Sequence, residues 1–447
     1  MVQSGRTRVC LTSLGCPKNL VDSEVMLGIL EESGFEITSD ESGAEVLVVN
    51  TCGFVGDAKE ESIAEILRLA DYKKTGACRR LVVTGCLSQR YARELAGEMP
   101  EVDCFVGTGE YARIAEAAGR GFGGRVLVGA PTYIHDYDTP RILSTPGFYA
   151  YVKVAEGCSN HCSYCSIPAI RGEFRSRAAG SVAREVASLA SRGVREINLV
   201  AQDTTSYGAD RGAEERLPAL LKRLVTVEGV EWIRLLYLYP GRLTEELMDL
   251  IAGEEKVLGY VDLPLQHISG PVLRAMNRRY DRAVVAEEIG RLRERVPGVV
   301  LRTSLIVGFP GETDSDFAGL MDFISRTRFD RLGVFRYSRE ESTAAYDMGG
   351  QVPESVKTER MNAVMEAQRV ISLEKNSSLV GAELRVLVEG AADDEGFPLK
   401  GRAWSQAPEV DGCVYITGSS ARPGDIITVR VTEAWDYDLV GVESGRP

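Results

Sequence analysis

The segment Glu156-Gly157-Cys158-Ser159-Asn160-His161-Cys162-Ser163-Tyr164-Cys165 decides how the chain is read. It follows an apolar run, 151–155, that reads as a β-strand. Three thiolates in so short a loop can wrap one iron–sulfur cluster, because each cysteine meets a different iron. A four-iron cluster would then keep one iron without a local protein ligand. A small molecule can bind at such an open iron and receive an electron. A zinc site would need a fourth ligand from elsewhere, and His161, flanked by cysteines, reads as a loop residue rather than that ligand.

Working outward, residues 148–338 alternate apolar runs with amphipathic stretches. Strands are expected at 151–155, 197–200, 233–237, 261–265, 299–307 and 332–335, with helices at 182–191, 217–225, 244–251, 282–294 and 314–326. Six βα units imply an open or partial barrel, short of the eight that close a full one. The cluster loop follows the first strand. Toward the N-terminus, strands at 8–14, 44–49, 80–84 and 103–106 alternate with helices at 20–33, 56–72 and 88–99, which argues a parallel sheet with covering helices. Cys16, Cys52 and Cys86 each follow one of the first three strands. Loops beyond the carboxyl ends of parallel strands converge on one site, so these thiols are expected to meet despite their separation. Burial as three structural cysteines is the competing reading. Cys10 and Cys104 fall inside predicted strands, and Cys78 and Cys413 have no partner pattern; all four read as structural.

Residues 119–147 are rich in Gly, Pro and Thr and read as a linker or loose crossover. After a long charged helix at 354–379, five short strands at 383–389, 399–404, 412–416, 426–432 and 439–442 suggest a small antiparallel barrel. The fold class is therefore α/β and multidomain, divided at 6–125, 145–350 and 375–444.

Composition limits the function. The 447 residues exceed one ordinary core, and with 44% hydrophobic and 26% charged residues nothing suggests disorder. The net charge of −13 disfavours non-specific binding to phosphates. No run approaches the ~18 apolar residues of a membrane span, and the start has no apolar core suited to a signal peptide. The expected setting is cytoplasmic, without a membrane. Ten cysteines there point to metal ligation or catalysis rather than disulfides. With only three histidines, thiolate-only ligation is favoured.

The spacing of Cys158, Cys162 and Cys165 after a first strand, with Tyr164 before the last, resembles the radical S-adenosylmethionine superfamily. In that superfamily the open iron chelates the cofactor, and one-electron reduction releases a deoxyadenosyl radical. Val200-Ala201-Gln202-Asp203, Pro264-Leu265-Gln266-His267 and Ser304-Leu305-Ile306-Val307-Gly308-Phe309-Pro310-Gly311-Glu312 match its cofactor-binding strand ends. The resemblance thus implies S-adenosylmethionine contacts at Tyr164, Gln202, Gln266, Ser304 and Gly308.

Both thiol triads with the small C-terminal barrel resemble the radical methylthiotransferases over nearly the whole chain. This implies two 4Fe–4S clusters, the auxiliary one on Cys16, Cys52 and Cys86, and a C-terminal TRAM domain. The segment Ser13-Leu14-Gly15-Cys16-Pro17-Lys18-Asn19-Leu20-Val21-Asp22-Ser23-Glu24 is similar to the protein-modifying branch of the family rather than to the GCQMN type of the MiaB-like enzymes. Asn50-Thr51-Cys52-Gly53-Phe54, Ala58-Lys59-Glu60-Glu61-Ser62-Ile63 and Ala434-Trp435-Asp436-Tyr437-Asp438-Leu439-Val440-Gly441 point the same way. That branch implies methylthiolation of the β-carbon of an aspartate in small-subunit ribosomal protein twelve, with a flavodoxin or ferredoxin as electron donor. The alternative is MiaB-like methylthiolation of an adenosine in tRNA; a non-catalytic cluster or zinc scaffold would be a different class altogether. From Lys375 onward, seven basic residues against twelve acidic ones leave −5, a poor surface for phosphates and a suitable one for a basic protein. The basic run Arg171-Gly172-Glu173-Phe174-Arg175-Ser176-Arg177 reads equally as a carboxylate-binding fork or a solvated turn.

Overall fold

The computed structural model describes residues 6–119, 121–212, 215–394 and 396–445. Residues 1–5, Arg120, Glu395 and Arg446 lie outside them, so part of the leader reading, the linker and the terminal charge count do too.

The N-terminal region is a parallel sheet with the order β2-β1-β3-β4-β5-β6. Its strands are β1 (Arg8–Ser13), β2 (Glu36–Ile37), β3 (Val46–Thr51), β4 (Arg80–Gly85), β5 (Cys104–Val106) and β6 (Val126–Leu127). Helices α1 (Pro17–Glu32), α2 (Gly56–Ala70), α3 (Tyr72–Thr75), α4 (Cys86–Glu98) and α5 (Ile114–Ala118) fill the connections. Every residue of β3 is buried, as expected of a strand covered on both faces. Because β1, β3 and β4 are neighbours, the loops that follow them open side by side.

The central sheet has the order β14-β13-β12-β11-β10-β7 and is parallel and open. It is built from β7 (Tyr149–Lys153), β10 (Glu196–Val200), β11 (Trp232–Leu235), β12 (Val257–Asp262), β13 (Val300–Val307) and β14 (Arg331–Arg336). A ribbon of β8 (Ala155–Glu156) and β9 (Arg175–Ser176) flanks the cluster loop. The helices are α6 (Ile167–Arg171), α7 (Ala179–Ser191), α8 (Leu217–Leu224), α9 (Glu245–Gly253), α10 (Gly270–Ala275), α11 (Arg282–Arg295) and α12 (Asp314–Thr327). Two expected strands end early. β12 stops at Asp262, because Pro264 has no N–H for a ladder and Gln266 takes φ 66°. β11 stops at Leu235, before Tyr237 at φ 59°.

Helix α13 (Glu354–Ser377) leads to a closed barrel of β15 (Glu383–Gly390), β16 (Leu399–Ala403), β17 (Val414–Thr417), β18 (Ile426–Ala434) and β19 (Leu439–Gly445). The barrel is not wholly antiparallel: β17 and β19 pair in parallel, which joins the ends of the sheet.

The three regions share a core. Val21 of α1 belongs to one buried apolar cluster with Tyr149, Tyr151 and Trp232 of the central region and Leu387 and Ile426 of the barrel. Each side chain so buried contributes roughly 1.5–3 kcal/mol. The stretch read as a linker is a packed crossover. Arg141 joins Glu24 of α1 to Glu185 of α7, at 2.5 Å from each, and the Ile142 N–H donates to the Glu24 carbonyl. Among the described residues no helix is long and apolar enough to cross a membrane.

Candidate active site

Cys16 is the N-cap of α1, with Pro17 opening the helix. Gly15 before it has φ 92°, and a Cβ there would come within 2.9 Å of the Cys52 Cβ and 3.3 Å of its Sγ. Glycine thus lets the Cys16 and Cys52 loops touch. Cys86 begins α4. The Asn19 amide donates to the Leu14 carbonyl at 2.6 Å and more weakly to Asn50 and Thr51. Asn50 donates back to the Asn19 carbonyl at 2.9 Å and to Ser23 Oγ at 2.8 Å. The Cys16 and Cys52 turns are therefore lashed together by amides.

The second triad is local. The Cys165 N–H donates to the Cys162 carbonyl at 3.0 Å, and Ser163 exchanges backbone bonds with Met276 and Ala345. His161 is exposed, sits at φ 49° and faces Glu173 at 3.6 Å, so it belongs to the loop surface as the sequence suggested.

The electrostatics of the thiols differ. Burial pushes the Cys86, Cys158 and Cys165 thiols up, and Cys52 up to about 12. At Cys16 burial is outweighed by Lys18, Arg171 and the backbone N–H groups of Asn19 and Lys18, and the thiol is lowered. Further N–H donors reach the sulfurs of Cys52 from Phe54, of Cys158 from Asn160 and of Cys165 from Ile167. Such N–H···S bonds stabilise ligating thiolates. One arginine serves each triad as well. Arg278 donates to Cys162 Sγ at 3.6 Å while bonding the Pro264 carbonyl, and Arg171 donates to Cys86 Sγ at 3.7 Å.

This donor set fits iron–sulfur clusters. Each triad offers three thiolates with N–H donors around them, and the buried Ser166 hydroxyl beside Cys165 has no partner among the described residues. Those residues contain no group of three His, Cys, Asp or Glu side chains arranged to hold a metal ion. A cluster asks for something else, since its thiolates bind different irons rather than one point.

Arg171 closes α6, the helix that starts two residues after Cys165. Its guanidinium also bonds Asp22 of α1 at 2.8 Å, Glu156 at 3.1 Å and Asn19 at 3.2 Å. Lys153 pairs with Asp22 and, at 2.6 Å, with Glu156. The basic run after the loop is thus neither a solvated turn nor a free fork. Arg171 crosses to the N-terminal region, and Arg177 is buried against Glu185.

Of the five residues expected at S-adenosylmethionine, Gln266 and Ser304 are joined, the Gln266 N–H donating to the Ser304 carbonyl at 2.8 Å. Tyr164 packs on the Phe309–Tyr337 cluster, and Gln202 lies just beyond the end of β10. Gly308 has φ 74°, gives its N–H to Glu312 and abuts the Lys357 side chain where a Cβ would stand. A cavity of about 770 Å³ opens beside Cys158, lined by Asn160, Asp203 and Arg242 among others and by none of those five. Sequence reasoning missed Asp22, Lys153, Glu156 and Arg278 as parts of the site. Asp22 lies 131 and 149 residues from its partners and Arg278 lies 116 from Cys162, and single charged residues carry no spacing signal.

Three family models match along the chain: the uncharacterized protein family UPF0004 over residues 8–107, the radical SAM superfamily over 152–324 and the TRAM domain over 380–442. The ribosomal protein uS12 methylthiotransferase RimO of Geotalea uraniireducens (strain Rf4) is 52% identical over 444 residues, covering 99% of each chain. That of Myxococcus xanthus (strain DK1622) is 51% identical over 437 residues, 98% of this chain and 92% of the relative. Among solved structures, the radical S-adenosylmethionine methyltransferase TsrM from Kitasatospora setae, with cobalamin and a 4Fe-4S cluster bound, aligns with a TM-score of 0.56 at 17% identity. The alignment covers 87% of this chain and 81% of TsrM, a likeness of fold.

Proposed function

Because this chain belongs to the RimO family of ribosomal protein uS12 methylthiotransferases, we propose that it methylthiolates the β-carbon of one aspartate in small-subunit ribosomal protein twelve. It is a radical S-adenosylmethionine enzyme, and the reading assigns it two 4Fe–4S clusters. The observation that carries this reading is the pair of thiol triads on separate sheets, joined by Arg171 between the end of α6 and Cys86.

When bound, the clusters and S-adenosylmethionine supply a carbon-centred radical, a methyl group and a sulfur, chemistry that side chains cannot provide at an unactivated carbon. The chain's part is to hold and orient. Cys158, Cys162 and Cys165 would hold the cluster that meets S-adenosylmethionine, and Cys16, Cys52 and Cys86 the auxiliary one. Tyr164, Gln202, Gln266 and Ser304 are assigned to the cofactor, with Gly308 shaping the turn after β13. Arg278 and Arg171 each donate to one sulfur of a triad and so aim it.

In this division residues 6–125 carry the auxiliary cluster, 145–350 the radical chemistry and 375–444 the docking of a basic substrate. The acid excess of that last segment favours a protein over tRNA. A flavodoxin or ferredoxin would deliver the electron, in the cytoplasm where ribosomes are. The test offers both substrates to the anaerobically reconstituted enzyme and follows methylthio incorporation by mass spectrometry. Modified aspartate in ribosomal protein twelve supports the reading, and a modified adenosine in tRNA with that protein untouched overturns it.

A further inference from the structure

One buried cation beside the N-terminal triad lacks a carboxylate partner. Lys18, in the first turn of α1, is only 5% exposed. Among the described residues the other buried lysines and arginines each meet a carboxylate. Lys153 and Arg171 meet Asp22 and Glu156; Arg177 meets Glu185; Arg234 and Arg402 meet Glu196; Lys357 meets Glu354; Arg360 meets Glu312. Lys18 has no such pair. Its ammonium lies 3.2 Å from the centre of the Tyr237 ring, a contact that steadies a cation without neutralising it. A buried ammonium with no carboxylate beside it is costly, and a binding site tolerates that cost when the carboxylate arrives with the ligand.

The location narrows the ligand. Lys18 is two residues from Cys16 and is the largest favourable charge acting on that thiol. Tyr237 belongs to the central region, just past the end of β11, and is held at φ 59°. The ammonium therefore sits where the two regions meet, beside the thiol assigned to the sulfur-bearing site. An aspartate's β-carbon is bonded directly to its carboxylate carbon, so a group that grips the carboxylate also fixes the carbon to be modified. A neutral adenine offers no such handle.

We propose that Lys18 is a substrate-binding residue whose ammonium, braced on the Tyr237 ring, takes the carboxylate of the target aspartate. The inference rests on the functional reading above and deepens it. The test is a double-mutant cycle on reconstituted full-length enzyme, with labelled ribosomal protein twelve carrying either the target aspartate or asparagine there. Binding is read by fluorescence anisotropy.

Wild-type enzyme is expected to bind the aspartate form about tenfold or more tightly than the asparagine form, as for a desolvated charge pair. Lys18→Met is expected to bind the two forms equally. Should K18M fail to fold, Lys18→Gln serves in its place. Equal binding of the two forms by wild type overturns the assignment without any enzyme variant. An unchanged ratio in the variant also overturns it, even if iron content or the cluster spectrum changes, because Lys18 would then serve only the cluster. If wild type does not methylthiolate ribosomal protein twelve at all, the functional reading falls and takes this inference with it. Turnover with an unchanged binding ratio removes the Lys18 assignment alone.

Discussion

The two triads each present three cysteines but are assembled in opposite ways. Cys158, Cys162 and Cys165 lie on one turn, shaped by local backbone bonds and supported from α10. Cys16, Cys52 and Cys86 come from three strand ends and meet only once β1, β3 and β4 are in register. Their arginines differ in the same sense. Arg278 belongs to the triad's own region and lies against the Tyr239 and Tyr280 rings, 4.4 and 5.0 Å from their centres. Arg171 reaches across to the other sheet and is held by carboxylates. The local triad is self-contained, whereas the distant one is completed by the domain it serves. The fixed relation of the two triads in space thus comes from the same contacts.

The largest expected effect separates the triads outright. Replacing Cys158, Cys162 and Cys165 by Ala should abolish deoxyadenosine formation while leaving about half of the iron. Iron analysis and chromatography of the cofactor products check both. Continued cofactor cleavage would show that the local triad is not the radical site.

The next prediction attacks the strut between them. Asp22→Ala leaves Lys153 and Arg171 short of a buried counter-charge and should cost about 3–5 kcal/mol, read by urea denaturation. The exposed pair of His161 and Glu173 on the cluster loop should yield less than about 1 kcal/mol when Glu173 is replaced by Ala. Similar losses from the two variants would erase the distinction between a buried strut and a surface contact.

Gly15→Ala sharpens the comparison from inside the distant triad. A side chain at φ 92° costs roughly 1–2 kcal/mol and also presses on Cys52. The variant should lose auxiliary-cluster iron while retaining cofactor cleavage. Full iron with normal stability would mean the two loops need not touch.

The smallest effect concerns pH at the seam between the central sheet and the barrel. Burial opposes the charge on Glu196, but Arg402 and Arg234 outweigh it and hold the carboxyl below its ordinary 4.5. A lowered folded value means the stabilisation is fully present above pH 4.5 and is lost as pH falls through the folded value. Thermal stability of wild type should therefore drop more steeply below pH 4.5 than that of Glu196→Gln. Parallel acid limbs would contradict the assignment.

Much of this was legible in the residues. The spacing of Cys158, Cys162 and Cys165 is a local signal, and glycine beside each of Cys16, Cys52 and Cys86 marked turns at strand ends. Alternating apolar and amphipathic runs were enough for both parallel sheets. Features without a period were not readable: α6 and α10 are too short to show one, and the parallel β17–β19 pair depends on barrel closure. The strut could not be read either, because Lys153 and Arg171 lie 131 and 149 residues from Asp22. Arg171 itself stood out as a basic residue, but only the tertiary structure shows that it faces the other sheet.

The central claim is that the distant triad delivers sulfur and the local one makes the radical. Its most direct test is the variant with Cys16, Cys52 and Cys86 all replaced by Ala, reconstituted and given S-adenosylmethionine, a reductant and ribosomal protein twelve. Deoxyadenosine should form while mass spectrometry finds no methylthiolated aspartate. Methylthiolated product from that variant would contradict the account.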